Sequence, residues 1–175
     1  MRRSGRFFTA ALLTGVAAGA LVTLLSGPAA ADSSSVRWKT IVGIEDAGGN
    51  LNNAVGGIGG GGQAWTTLGG NARADLAGGN VDFEVHGLVL AGGNAIGTPD
   101  GINQVKGTLV CDAGQPDQVV VDTPLVTLSA QGDAEFDGNV GPISSVCTAS
   151  NTAFLVRIAA GRWIANGAVR TSHGD

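Results

Sequence analysis

The chain has 175 residues, 43% of them hydrophobic and only 14% charged, with a formal net charge of −4. Its 30 glycines lack the three-residue period of a collagen, and apolar runs recur along the whole length, which excludes a disordered chain. An acidic balance with scattered arginines also lacks the clustered positive charge that nucleic acid or an anionic membrane requires.

The start reads as a secretory signal. Met1 to Arg6 is basic, Phe7 to Leu25 is uncharged, and Ser26-Gly27-Pro28 breaks the run before Ala29-Ala30-Ala31. An uncleaved anchor needs a similar length of apolar chain, but small residues ahead of Asp32 favour cleavage near Ala31–Asp32. The chain is therefore expected to be secreted, with no membrane span after cleavage. Arg2-Arg3 followed by Phe7-Phe8 leaves twin-arginine export open beside the general route. Cleavage removes three of the ten basic residues and no acid, so residues 32–175 carry a net −7. They are long enough for one domain with its own core.

A first strand is expected at Val36–Val42, with Val36, Trp38, Thr40 and Val42 sharing one face. Residues 43–62, dense in glycine, read as a long surface loop, since glycine costs backbone entropy and offers no side chain to bury. Gln63–Leu68 reads as a short strand. Gly-Gly-Asn then occurs at 69, as it does at 48, 78 and 92, and reads as a hairpin turn each time, because Gly adopts positive φ freely and Asn tolerates it. The clearest strand is Val81-Asp-Phe-Glu-Val-His86: Val81, Phe83 and Val85 alternate with Asp82, Glu84 and His86, the period of a half-buried strand. Further strands are expected at 102–111, 118–122, 125–128, 132–140, 152–158 and 162–169. In 132–140, Ala134, Phe136 and Gly138 face inward and Asp133, Glu135 and Asp137 outward.

About nine short strands and no helix beyond the signal predict an all-β fold, an antiparallel β-sandwich or a small β-barrel. Cys111 and Cys147 are the only cysteines. An even pair in an exported chain reads as a disulfide, which would stabilise by about 3–4 kcal/mol in the chain-entropy picture.

The series Gly59–Gly62 with Trp65, Gly87–Leu90, Lys106–Cys111, Leu128–Ala134, Cys147 and Gly161-Arg162-Trp163 resembles a group of secreted proteins of high-GC Gram-positive bacteria. The resemblance spans most of residues 32–175 and implies a shared fold. That group has no assigned activity, so no site residue is carried over. Val85-His86-Gly87-Leu88 is similar, at fold level, to a segment of chordin-type β domains, although the second histidine of their motif is absent.

Candidate chemistry is sparse. Gly57–Gly62 fits G-x-G-x-x-G, but a strand rather than a helix follows, so a dinucleotide site is not expected. Asp82, Glu84 and His86 share one face, and Asp133, Glu135 and Asp137 share another. Either set reads first as a solvated face. Asp82, Glu84 and His86 could contribute ligands to a zinc or calcium ion if a second strand supplied partners. If the two strands pair, carboxylates oppose each other and need a cation or a different register, which makes calcium the sharpest metal reading. A Ser–His–Asp triad would need His86 with Ser129, Ser144 or Ser145. Trp65, directly after the glycines, is the candidate ligand-contact residue. The expected function is that of a non-catalytic exported domain, binding or structural, with an extracellular ligand or a cell-wall component as partner. The alternative is a secreted hydrolase using carboxylates on one sheet face.

Overall fold

The structure, a computed structural model, describes residues 34–45 and 53–172. The signal segment, the Gly-Gly-Asn at 48–50 and His173 lie outside the described residues. Among the described residues there is no helix, and hence none long and apolar enough to cross a membrane. The strands are β1 (Ser35–Gly43), β2 (Trp65–Thr66), β3 (Gly69–Asp75), β4 (Asn80–His86), β5 (Val89–Leu90) and β6 (Gln104–Cys111). They continue as β7 (Val119–Asp122), β8 (Val126–Thr127), β9 (Ala134–Asn139), β10 (Thr152–Ile158) and β11 (Trp163–Ser172).

One antiparallel sheet runs in the order β7-β6-β10-β11-β1-β3-β4-β9, and β8 pairs with β6 beside β7. The sheet curls until β8 lies against β9, so its two ends meet. This is the barrel alternative. A two-sheet sandwich does not form, because the second sheet is only the β2–β5 pair.

Alternation decides which side chains fill the curl. Val81, Phe83 and Val85 of β4 are buried, and Asp82, Glu84 and His86 point out. Phe83 reaches across to Phe154 of β10, with ring centroids 5.5 Å apart, and Phe154 lies 5.5 Å from Trp38 of β1. β4 and β10 are separated in the sheet by three strands, so this aromatic cluster joins opposite walls. Burial of such rings is the largest apolar contribution available to a core of this size. Gly107 on β6 makes room for them: a Cβ there would sit 2.9 Å from the Phe83 ring and 3.0 Å from the Phe154 ring.

Several expectations need correction. In β1, Val36 and Trp38 are buried as expected, but the pattern then flips: Ile41 is buried and Val42 is exposed. The flip falls beside Val169 of β11, whose φ is 51°. Gly69-Gly70-Asn71 is not a turn. It opens β3, with Gly69 opposite His86 and Gly70 opposite Val85. Gly70 has a φ of 148°, and a Cβ there would meet the Glu84 carbonyl oxygen at 2.3 Å, so glycine is required for close approach rather than reversal. The triplet at 78–80 does turn, through Gly79 at φ 73°.

The described part of the glycine stretch is a strap on the barrel wall. The Gln118 amide nitrogen donates to the Gly56 carbonyl, the Arg162 guanidinium to the Gly60 carbonyl, and the Trp163 indole to the Asn53 carbonyl. Gly60 also bridges to Trp163. Missing side chains let this backbone lie close on the sheet: a Cβ on Gly56 would meet Val110 at 2.6 Å.

Cys111, at the end of β6, forms a disulfide with Cys147 in the loop between β9 and β10. Both cysteines are buried.

Candidate functional site

The two acidic strands picked out by alternation are neighbours. β4 pairs with β9, placing Asp82 opposite Asp137 and Glu84 opposite Glu135. β3 pairs with β4 on the other side, placing Arg73 opposite Asp82 and Asn71 opposite Glu84. Arg37 of β1 continues the upper row beside Arg73. The outer face thus carries one row reading Arg37, Arg73, Asp82, Asp137 and a second reading Asn71, Glu84, Glu135. Positive charge lies toward β1 and negative charge toward β9.

Between these side chains runs an open groove of about 590 Å³, lined by Asn71, Asp82, Glu84, Glu135 and Asp137 together with Phe83 and Phe136. A further hollow of about 350 Å³ shares Glu84 and Glu135 with it and passes His86 and Asp133 to reach Val126 and Thr127 of β8. The Asn71 amide donates to Glu84. Burial raises the Asp82 pKa, Arg73 opposes that shift, and the Asp137 carboxylate adds to it.

His86 stands between two acids, with Nε2 at 3.8 Å from Glu84 and Nδ1 at 3.7 Å from Asp133. All three side chains are about half exposed, so the pairs are worth little. Asp133 also accepts the Gly87 backbone N–H at 3.1 Å, which ties the loop before β9 to the end of β4.

The residues named for a triad meet in the wrong order. Ser129 Oγ reaches Asp133 at 3.4 Å, while Asp133 stands between it and His86. Ser129 Oγ also accepts the backbone N–H groups of Gln131 and Asp133. It closes a turn, and its one carboxylate contact is the long one to Asp133, with no contact to the His86 imidazole that a triad requires. Ser144 and Ser145 sit in the β9–β10 loop and line a different hollow from His86.

A metal reading also finds little support. Among the described residues no three of His, Cys, Asp and Glu converge to hold an ion.

Trp65 is not a ligand platform. It is 5% exposed, and its indole lies beneath Gly61 of the strap. Trp38 and Trp163 are buried as well, so no tryptophan offers a sugar-stacking surface.

One polar cluster escapes a reading by strand faces alone. Asp122 of β7 accepts from Lys106 Nζ, from Thr108 Oγ1 at 2.7 Å and from the Arg157 guanidinium at 3.0 Å. Burial by itself would raise its pKa. The bonds from Lys106 and Thr108 and the Arg157 charge outweigh burial and hold it below the usual carboxylate value. Arg157 is further fixed by the Gly161 carbonyl. The signal for this cluster was Arg157, a lone cation in an otherwise apolar strand. Asp122 lies 35 residues from it in sequence and Lys106, the other cation on that carboxylate, 51 residues, beyond any local pattern.

Together these features define a class: a disulfide-stapled, all-β domain built from one curled antiparallel sheet, with a charge-divided outer face. Comparison of the chain with protein-family models, with curated proteins and with solved structures finds no match.

Proposed function

We propose that the chain is an exported β domain with a non-catalytic binding or structural role at the cell surface or outside the cell, acting through the outer face of β3, β4 and β9. The observation that carries this reading is the direct opposition of Asp82 to Asp137 and of Glu84 to Glu135 along one open groove. Like charges placed opposite each other weaken a sheet. Departures of this kind from the local rules concentrate where a protein meets something else. A partner presenting positive charge, in a cell-wall component or another extracellular ligand, relieves the repulsion on contact. The disulfide suits an oxidising compartment.

The test is affinity capture from cell-surface extracts, together with a glycan array, using the chain from Asp32 onward. The expected result is salt-sensitive retention of a cationic partner by the wild type. Retention should be lost in Glu84→Gln/Glu135→Gln, which should melt no lower than the wild type. Capture indifferent to that variant removes this face from the function. Hydrolysis of a glycan, abolished by the same variant, replaces the binding reading with the hydrolase alternative.

A further inference from the structure

At one end of the barrel, beside the disulfide and on a different surface from the acidic groove, lies a cavity of about 660 Å³. Its volume falls within the usual range for small-molecule sites, and barrel mouths are a common place for them. Leu76, Ile143 and Ala149 give it an apolar floor, and Ser145, Thr148 and Ser150 bring hydroxyl groups to it. Arg170 of β11 supplies its one charge.

Arg170 pairs in register with Trp38, whose ring is in the core. The Arg170 side chain therefore leaves β11 on the inner side, at the mouth. One guanidinium nitrogen donates to the Thr152 carbonyl at 3.0 Å, which fixes the head group. Among the described residues no carboxylate lies within ion-pair distance of it, although acids outnumber bases in the chain by 14 to 10. A guanidinium carries five donors in a planar fork suited to carboxylate oxygens, and most of these remain available at the cavity.

The wall opposite Arg170 is already in place. The disulfide holds Cys147, the Asn151 amide donates to Asp112 and to the Val146 carbonyl, and Thr152 Oγ1 donates to the Thr148 carbonyl. A wall fixed in advance lowers the ordering cost of binding.

We infer that this mouth binds a small amphipathic carboxylic acid, its carboxylate on Arg170 and the hydroxyls of the β9–β10 loop, its apolar body on Leu76, Ile143 and Ala149. A single cation in a net-acidic domain matches a monoanion better than a dianion, and the apolar floor calls for a hydrocarbon or aromatic body.

The experiment titrates the chain from Asp32 with octanoate, 1-octanol and octyl phosphate, followed by calorimetry and by amide chemical shifts. Octanoate should saturate, moving the signals of residues 143–150 and the Arg170 side chain. Octanol should bind at least about tenfold more weakly, the scale of a lost charge-assisted hydrogen bond. Arg170→Gln should weaken octanoate by a similar factor and leave octanol unchanged. Ser145→Trp, at an exposed position of the rim, should block both and keeps the test open if Arg170→Gln fails to fold. The inference is overturned if octanoate does not saturate, if acid and alcohol bind alike, or if octyl phosphate binds more tightly than octanoate. It is equally overturned if octanoate binding survives both variants. Neither these ligands nor these variants touch the acidic groove, so the outcome is independent of the function proposed for that face.

Discussion

Glu84 and Glu135 stand directly across from each other on β4 and β9, both side chains on the outer face of the barrel. Opposed like charges cost a sheet a few tenths of a kcal/mol to about 1 kcal/mol. Glu135→Lys turns the repulsion into attraction. It should raise the unfolding free energy by about 0.5–1 kcal/mol in low salt, with less gain at high salt. Urea titrations at two ionic strengths check both parts.

Asp122 and Asp82 should give opposite pH dependences. Asp122 is held below its usual pKa, so its ionised form belongs to the folded state. Its contribution is present above the unfolded carboxylate value and is lost as pH falls through the lowered folded value. Asp82 is raised, by burial first and then by Asp137. Its protonated form is the one the fold favours, and stability is lost as pH rises through the raised value. Asp122→Asn should therefore destabilise at neutral pH, by about 1–2 kcal/mol as a lost charge-assisted bond, with the deficit shrinking in acid. Asp82→Asn should be neutral in acid and stabilising at neutral pH. Thermal melts from pH 3 to 7 separate the two, and parallel curves for both variants would contradict the assignment.

Gly107→Ala should cost about 1–3 kcal/mol, the usual penalty for an added methyl in a filled core, because the new Cβ meets the Phe83 and Phe154 rings. Adding Phe83→Leu should recover part of the loss. Unfolding free energies of the two single variants and the double variant measure the coupling.

Replacing Cys111 and Cys147 together by Ala should lower stability by about 2–5 kcal/mol. The loss should be accompanied by faster amide exchange at 143–150, the loop the disulfide fastens to β6. Unchanged exchange there would mean that the hydrogen bonds of Asn151 hold the loop by themselves.

Calcium should not matter to folding. With no three ligands converging among the described residues, the melting temperature should be the same in excess calcium and in excess chelator. A chelator-sensitive melt would return the acidic face to metal binding.

Alternation made the strands legible where one face is wet and the other dry. Asp82, Glu84 and His86 on β4, and Glu135 and Asp137 on β9, point where the period-two pattern puts them. That the two strands are neighbours was not legible, because register between residues as far apart as Glu84 and Glu135 leaves no local trace. Glycine misled in two ways. Gly70 serves a close strand approach to Glu84 and not a turn, and Gly56 lets the strap lie on Val110. Both uses depend on what stands opposite in space, and composition is blind to that. Trp65 looked accessible because glycines precede it, yet those glycines are what allow the backbone to cover it.

The place of β1 in the sheet has a kinetic consequence. Its neighbours are β3 on one side and β11 on the other, so the first of the described strands shares a ladder with the last of them. The middle of the barrel cannot be completed until residues 163–172 are available, and any piece ending sooner leaves Trp38 without half of its wall. Pairings between strands so far apart in sequence are slow to form. The sheet should therefore close only once β11 is present, and deletions that remove β11 should abolish folding outright rather than trim one edge.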